Sequence, residues 1–183
     1  EQARIDPVAM RLLLSLLALL VAGTLKLWPL TATLASVHVP LSWPEAWQDM
    51  LFRWVPFDAA KGEEGVSFQG SVLIALLVLI AVSAKQGLDD IVEGANRWTW
   101  IALGLTAATL LVATLGVKPR DGGLVLDITG RVCAEAAALL AILHYARRLD
   151  TELWRSWLWE SWRFVKQIFP LLLAGVFLVG VAR

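Results

Sequence analysis

The chain is poor in cysteine, in histidine and in charge. Cys133 is the single cysteine of 183 residues, which excludes an intrachain disulfide and any cysteine-rich zinc or iron–sulfur site. Of two histidines, only His144 falls within an apolar run; His38 lies in a polar stretch. Sixteen lysines and arginines balance sixteen aspartates and glutamates, so no basic footprint for nucleic acid exists. There is no P-loop, no GxGxxG, no hydrolytic triad pattern and no carboxylate pair of glycosidase type. Too few nucleophiles, bases and metal ligands cluster to suggest an enzyme, and no cofactor is expected.

What the chain has instead is apolar length. It is 58% hydrophobic and 17% charged, against about 45–50% and about 25% in an average soluble domain. The excess is gathered into runs near the ~20 residues needed to cross a hydrocarbon core. The expected fold is therefore all-α, a polytopic transmembrane helix bundle of about five spans forming one membrane domain. The spans are placed at 9–28, 68–84, 98–117, 124–145 and 165–181. The first run, AMRLLLSLLALLVAGTLKLW, follows Arg4 and contains Arg11. A signal peptide shares that basic-then-apolar plan, but the run is long for one.

Between the first two spans lies a polar outer loop, 29–67. Within it PLSWPEAWQDMLFRWVPFD spaces Trp43, Trp47, Met50, Leu51 and Trp54 as one helix face, bracketed by Pro44 and Pro56. Two readings stand for this helix: it lies at the water–lipid boundary, where indoles are favoured, or it caps neighbouring spans. KQGLDDIVEGANR and KPRDGG read as a connector and a turn. Gly104 and Ala108 in the third span form a small-xxx-small pair suited to close helix contact. No internal repeat is evident.

Near the C-terminus, WESWRFVKQIFPLLLAGVFLVG joins a Trp-rich amphipathic helix, 150–162, to an uncharged run. Trp154, Trp157, Trp159 and Trp162 suit headgroup depth, while Arg155, Arg163 and Lys166 mark the boundary. Pro170 removes one backbone donor and predicts a kink just inside the bilayer. With the N-terminus cytoplasmic, nine Lys/Arg (Arg4, Arg11, Lys85, Arg97, Arg147, Arg148, Arg155, Arg163, Lys166) fall on the cytoplasmic side. Six (Lys26, Arg53, Lys61, Lys118, Arg120, Arg183) fall on the other, which favours N-in. Asp58, Glu63 and Glu64 then face outward with Glu45 and Asp49.

The fourth span, DITGRVCAEAAALLAILHY, holds the membrane-depth polar residues. Asp127, Arg131 and Glu135 follow i, i+4, i+8 and predict an ion-pair ladder on one helix face. Ionisable residues at that depth cost at least ~2.5–3.5 kcal/mol and are site candidates by default; Arg131 near the boundary also fits a snorkelling role. Glu135, Arg131, Asp127 and Pro170 are therefore the transport-path candidates. Cys133 points off the ladder, as a small apolar filler or a soft-ion ligand. His144 is a weak candidate for axial ligation of haem or chlorin and otherwise an interfacial hydrogen-bonding residue. At ~16 Å along the helix it is too far from Cys133 to share a metal.

ESWRFVKQIFPLLLAGVFLVGVAR, Glu160 to Arg183, resembles a segment of the predicted permeases related to the organoarsenical (methylarsenite) efflux permease. The match includes Trp162, Lys166, Phe169, Pro170, Leu171, Gly175 and Gly180, and LDITGRVCAEAAALLAILHYARRLD fits it more loosely. The resemblance implies a multi-pass inner-membrane protein exporting a small toxic solute, a trivalent arsenical or metal ion. In that branch cysteine thiols receive the metalloid; Cys133 is the sole candidate here, which excludes three-thiol capture within one chain. In the family the phrase is normally followed by a second half, so three expectations stand: the chain is a fragment, it pairs with a second membrane polypeptide or with itself, or it has been recruited to another role. The first functional expectation is thus a permease or permease half. The alternative is a non-catalytic structural subunit of a larger respiratory or photosynthetic membrane complex.

Overall fold

A computed structural model describes residues 6–41, 43–55, 65–120 and 122–181 of the chain. Arg4, Pro56, Asp58, Lys61, Glu63, Glu64 and Arg183, used above in placing loops and orientation, lie outside the described residues. The chain is mostly helical, at 72% helix, with one small antiparallel sheet. In chain order the elements are α1 (Pro7–Thr24), α2 (Trp28–Thr31), β1 (Thr33–Val39), α3 (Trp43–Trp54) and α4 (Phe68–Leu88). They continue with α5 (Arg97–Thr114), β2 (Gly116–Arg120), β3 (Gly123–Thr129), α6 (Gly130–Ala146) and α7 (Thr151–Val181).

Three helices, α1, α4 and α5, are long and apolar enough to cross a membrane. At 1.5 Å per residue they measure about 27–32 Å, the thickness of a hydrocarbon core. Their leucines face outward: Leu13, Leu14, Leu17 and Leu20 on α1, and Ile74, Leu77, Val78 and Val82 on α4, are all exposed. In water so continuous an apolar surface would be an aggregation liability. The buried residues are mostly small: Ala22, Ala84, Ala102 and Ala138, as expected where van der Waals packing rather than water exclusion joins helices.

The α4–α5 hairpin is fixed at its turn. Asn96 accepts from the Thr99 backbone N–H at 3.0 Å, and Thr99 reciprocates in a capping box. Thr99, fully buried, donates from Oγ1 to the Gly87 carbonyl at 2.7 Å. Gly87 makes this approach feasible, because a Cβ there would overlap the Thr99 backbone. The expected contact pair Gly104 and Ala108 is not used: both are exposed, and nothing lies within 4 Å of a Cβ at Gly104. The close contact runs instead through Gly87 and Thr99, because the hairpin turn sets which stripe of α5 faces α4.

The sheet corrects the all-α expectation. Its order is β1-β3-β2, antiparallel throughout. Residues 124–129, expected as the first turns of the fourth span, form the central strand, and the helix begins at Gly130. The physical reason is alternation. In LVLDIT, Leu124, Leu126 and Ile128 share one face and Val125, Asp127 and Thr129 the other. Register then collects Ser36, His38, Lys118 and Arg120 with Asp127, and Val37, Val39 and Val117 with Leu126. Pro119 is confined to β2, an edge strand, where its missing donor is tolerated. The turn expected at KPRDGG is the β2–β3 hairpin, with Gly122 at φ 76°.

The sheet stands at one end of the helices, beside the C-termini of α1 and α5 and the N-termini of α4 and α6. Gln69 ties that end together: its Nε2 donates to the Val112 and Leu115 carbonyls at 2.7 Å each, closing the end of α5. The helix expected around Trp43–Trp54 is α3, and it covers the start of α4. Trp43 meets Phe68 edge-to-face at 5.4 Å, Trp47 Nε1 donates to Ser71 Oγ at 3.1 Å, and Gln48 accepts from the Phe68 N–H at 2.9 Å. Trp54 and part of Trp43 remain exposed, so one helix acts as a cap and also presents indoles outward. The amphipathic segment 150–162 and the run 165–181 are one continuous helix, α7, passing through Pro170.

Candidate functional site

Glu135 is the deepest charged residue among those described, at 3% exposure. It sits where α6 passes between the C-terminal ends of α1 and α5. α1 ends in Gly23–Thr24, and a Cβ on Gly23 would lie 3.1 Å from Glu135 Oε1, so the glycine leaves room for the carboxyl. α5 ends in Thr114, whose hydroxyl is 3.1 Å from Oε2. The same hydroxyl lies 3.0 Å from the Leu111 carbonyl. A threonine carries one hydrogen. When Glu135 is ionised, Thr114 donates to it. When Glu135 is protonated, the carboxyl donates to Thr114, which donates onward to Leu111. Both charge states are therefore satisfied by one hydroxyl rotation.

The expected ladder is not formed. Asp127 lies on β3 rather than on the helix, so its side chain accepts from Ser36 Oγ at 2.6 Å and pairs with Lys118 Nζ at 3.2 Å. The Ser36 hydroxyl, then the Lys118 ammonium, hold its carboxyl below the ordinary value of 3.8. Arg131, one turn before Glu135, donates from Nη2 to the Leu25 carbonyl at 3.0 Å. It thus places a cation on the C-terminal end of α1, while its Nε is buried without a partner. No ion pair reaches Glu135 among the described residues.

The other candidates are dispersed. Cys133 is exposed on α6, away from Glu135. His144 is exposed near the far end of α6, its ring edge-on to Tyr145 at 5.3 Å. No group of three or more His, Cys, Asp or Glu able to hold a metal occurs among the described residues. Pro170 lies in α7 beside exposed Phe169 and Leu171 and joins no other candidate.

A cluster that sequence reasoning missed fastens α7 to the end of α4. Asp89, just past α4, accepts from Trp162 Nε1 at 2.6 Å and from Lys166 Nζ at 2.7 Å. Lys166 also lies 5.3 Å and 5.6 Å from the Trp159 and Trp162 ring centres. The pairing spans more than seventy residues and leaves no local pattern. The Lys166 ammonium, then the Trp162 indole, hold the Asp89 carboxyl below its ordinary value of 3.8. A lowered folded value means the contribution is complete above that ordinary value and is lost as pH falls through the folded one. The contact is partly exposed, so its worth is about 1 kcal/mol or less. Asp89→Ala is expected to speed hydrogen exchange across residues 159–169 several-fold at neutral pH. Acidifying the wild type below 3.8 is expected to lower the protection factors of the same residues, relative to the slower intrinsic exchange at that pH; unchanged protection in the variant would contradict the assignment.

Compared with protein-family models, with curated proteins and with solved structures, the chain matches none.

Proposed function

We propose that the chain is a permease or permease half that moves a small solute across the inner membrane, with Glu135 on the transport path. The observation that carries this reading is Glu135 itself: a carboxyl buried among apolar helix ends, free of a neutralising ion pair among the described residues, and hydrogen-bonded in either charge state. Ionisable groups at such depth are costly and are retained for substrate paths or relays. α6 and the run of α7 beyond Lys166 serve as fourth and fifth crossings beside α1, α4 and α5, and the N-terminus is cytoplasmic. Resemblance to the organoarsenical permeases suggests a trivalent arsenical or a metal ion as solute, with Cys133 as the soft ligand. The lipid bilayer and a second membrane polypeptide, or a second copy, are the partners.

The test is flux in proteoliposomes holding the full chain, alone and with whatever membrane polypeptide co-purifies, using arsenite and methylarsenite as probes. Protein-dependent flux is expected. Absence of flux from every assembled form would overturn the reading. A second reading, a structural subunit of a larger membrane complex, is favoured by the outward apolar surface of α7, where Phe164, Leu171, Leu172 and Val176 are exposed. Stoichiometric co-purification of redox or pigment proteins would establish it.

A further inference from the structure

At the end of the helices opposite the sheet, α5 begins, α6 ends and α7 begins. Between them lies a cleft of about 240 Å³ whose wall includes Trp100, Leu143, Arg147, Thr151, Trp154 and Arg155. Its chemistry is divided. Trp100 and Trp154 stack at 5.5 Å with planes 21° apart, and Trp100 and Leu143 are exposed. Indoles in such a place mark the headgroup level of a bilayer. In the same wall Arg155 Nε is buried and has no hydrogen-bond partner, while the side chain as a whole is 26% exposed. The ion pair of Arg155, to Glu152, is long at 3.5 Å, and Glu152 is 79% exposed. Arg147 and Arg148 directly follow α6, and Asp150 and Glu152 flank Thr151, the first residue of α7. The first N–H groups of α7 have no intrahelical acceptor, and Thr151 of that turn lines the cleft. A buried guanidinium nitrogen without an acceptor, a second arginine and a helix start call for an anion with several oxygens. The stacked indoles and Leu143 call for a hydrocarbon chain attached to it.

We infer that this cleft binds the phosphate headgroup of an anionic membrane phospholipid, with Arg155 and Arg147 on the phosphate and an acyl chain along Trp100 and Leu143. The inference stands apart from transport and holds for a permease or a complex subunit alike. The Lys/Arg asymmetry places the cleft at the cytoplasmic leaflet, where such lipids attract basic pockets.

The test is native mass spectrometry of the full chain in mild detergent, titrated with dioleoyl phosphatidylglycerol, dioleoyl phosphatidylcholine or inorganic phosphate. Phosphatidylglycerol is expected to be retained about tenfold better than phosphatidylcholine, and an Arg147→Gln/Arg155→Gln double variant to lose roughly tenfold of that retention. Arg163→Gln, exposed elsewhere on α7, is expected to change nothing. Equal retention of the two lipids by the wild type would overturn the site without recourse to any variant. So would unchanged retention in a monodisperse double variant. Inorganic phosphate that binds alone and displaces the lipid at equal concentration would assign the cleft to a free anion and overturn the lipid.

Discussion

Glu135→Gln is expected to lower solute flux roughly 100-fold while leaving the fold intact. The two side chains have the same shape. Glutamine still fills the space left by Gly23, and its amide still meets Thr114, which can donate to Leu111 as before. What is lost is the change of charge. A charge at membrane depth is worth at least ~2.5–3.5 kcal/mol, and about 1.4 kcal/mol is tenfold, so a step that depends on gaining or losing that charge slows by about two orders of magnitude. Stability should stay within about 1 kcal/mol, because removing a buried charge offsets any poorer hydrogen bond. Flux in proteoliposomes and melting in detergent together separate the two effects. A variant that melts normally and transports at the wild-type rate would remove Glu135 from the path.

That Glu135 stands out was legible in the sequence; why it sits as it does was not. An ionisable residue in an apolar helix stands out by composition alone. Thr114 and Gly23 do not, because each is an ordinary end of an apolar run, and only the tertiary arrangement of α1, α5 and α6 brings them to one carboxyl. Asp127 shows the opposite failure. The spacing Asp127, Arg131, Glu135 is a sound helical pattern, yet it crosses a strand-to-helix boundary at Gly130. A two-residue alternation and a helical run are hard to tell apart over six residues of which four are apolar. The deciding fact was β1, about ninety residues upstream, which supplies the ladder bonds. Likewise α3 was readable as an amphipathic helix, but whether its tryptophans faced lipid or α4 depended on Phe68 and Ser71, which follow a separate stretch of chain. Runs of apolar length were legible because hydropathy is a local property. The pairing of Asp89 with Trp162 and Lys166 was not, because hydrogen-bond partners far apart in sequence leave no periodic trace.

The largest stability loss is expected from one methyl group, Gly87→Ala. In an exposed helix interior this change normally stabilises, by about 0.5–1 kcal/mol, since alanine is the better helix former. Here the sign should reverse. The added Cβ would lie 2.8 Å from the Thr99 Cα and against its backbone nitrogen, and backbone atoms cannot rotate aside as a side chain can. α4 and α5 must separate, and separation breaks the Thr99 hydroxyl bond to the Gly87 carbonyl and the Asn96 amide bond to the Gln86 carbonyl. Both hold the turn in which Ile91 is fully buried. Overpacking costs about 1–3 kcal/mol, and contact with backbone rather than side chain puts this case at the upper end. Gly94, seven residues on in the connector that follows α4, is the control: nothing lies within 4 Å of a Cβ there and its φ is not positive. Gly94→Ala should therefore remain within about 0.5 kcal/mol of the wild type. Denaturant melts of both variants in the same detergent decide the matter. A Gly87→Ala protein as stable as Gly94→Ala would mean that the α4–α5 turn is looser than its close backbone approach requires.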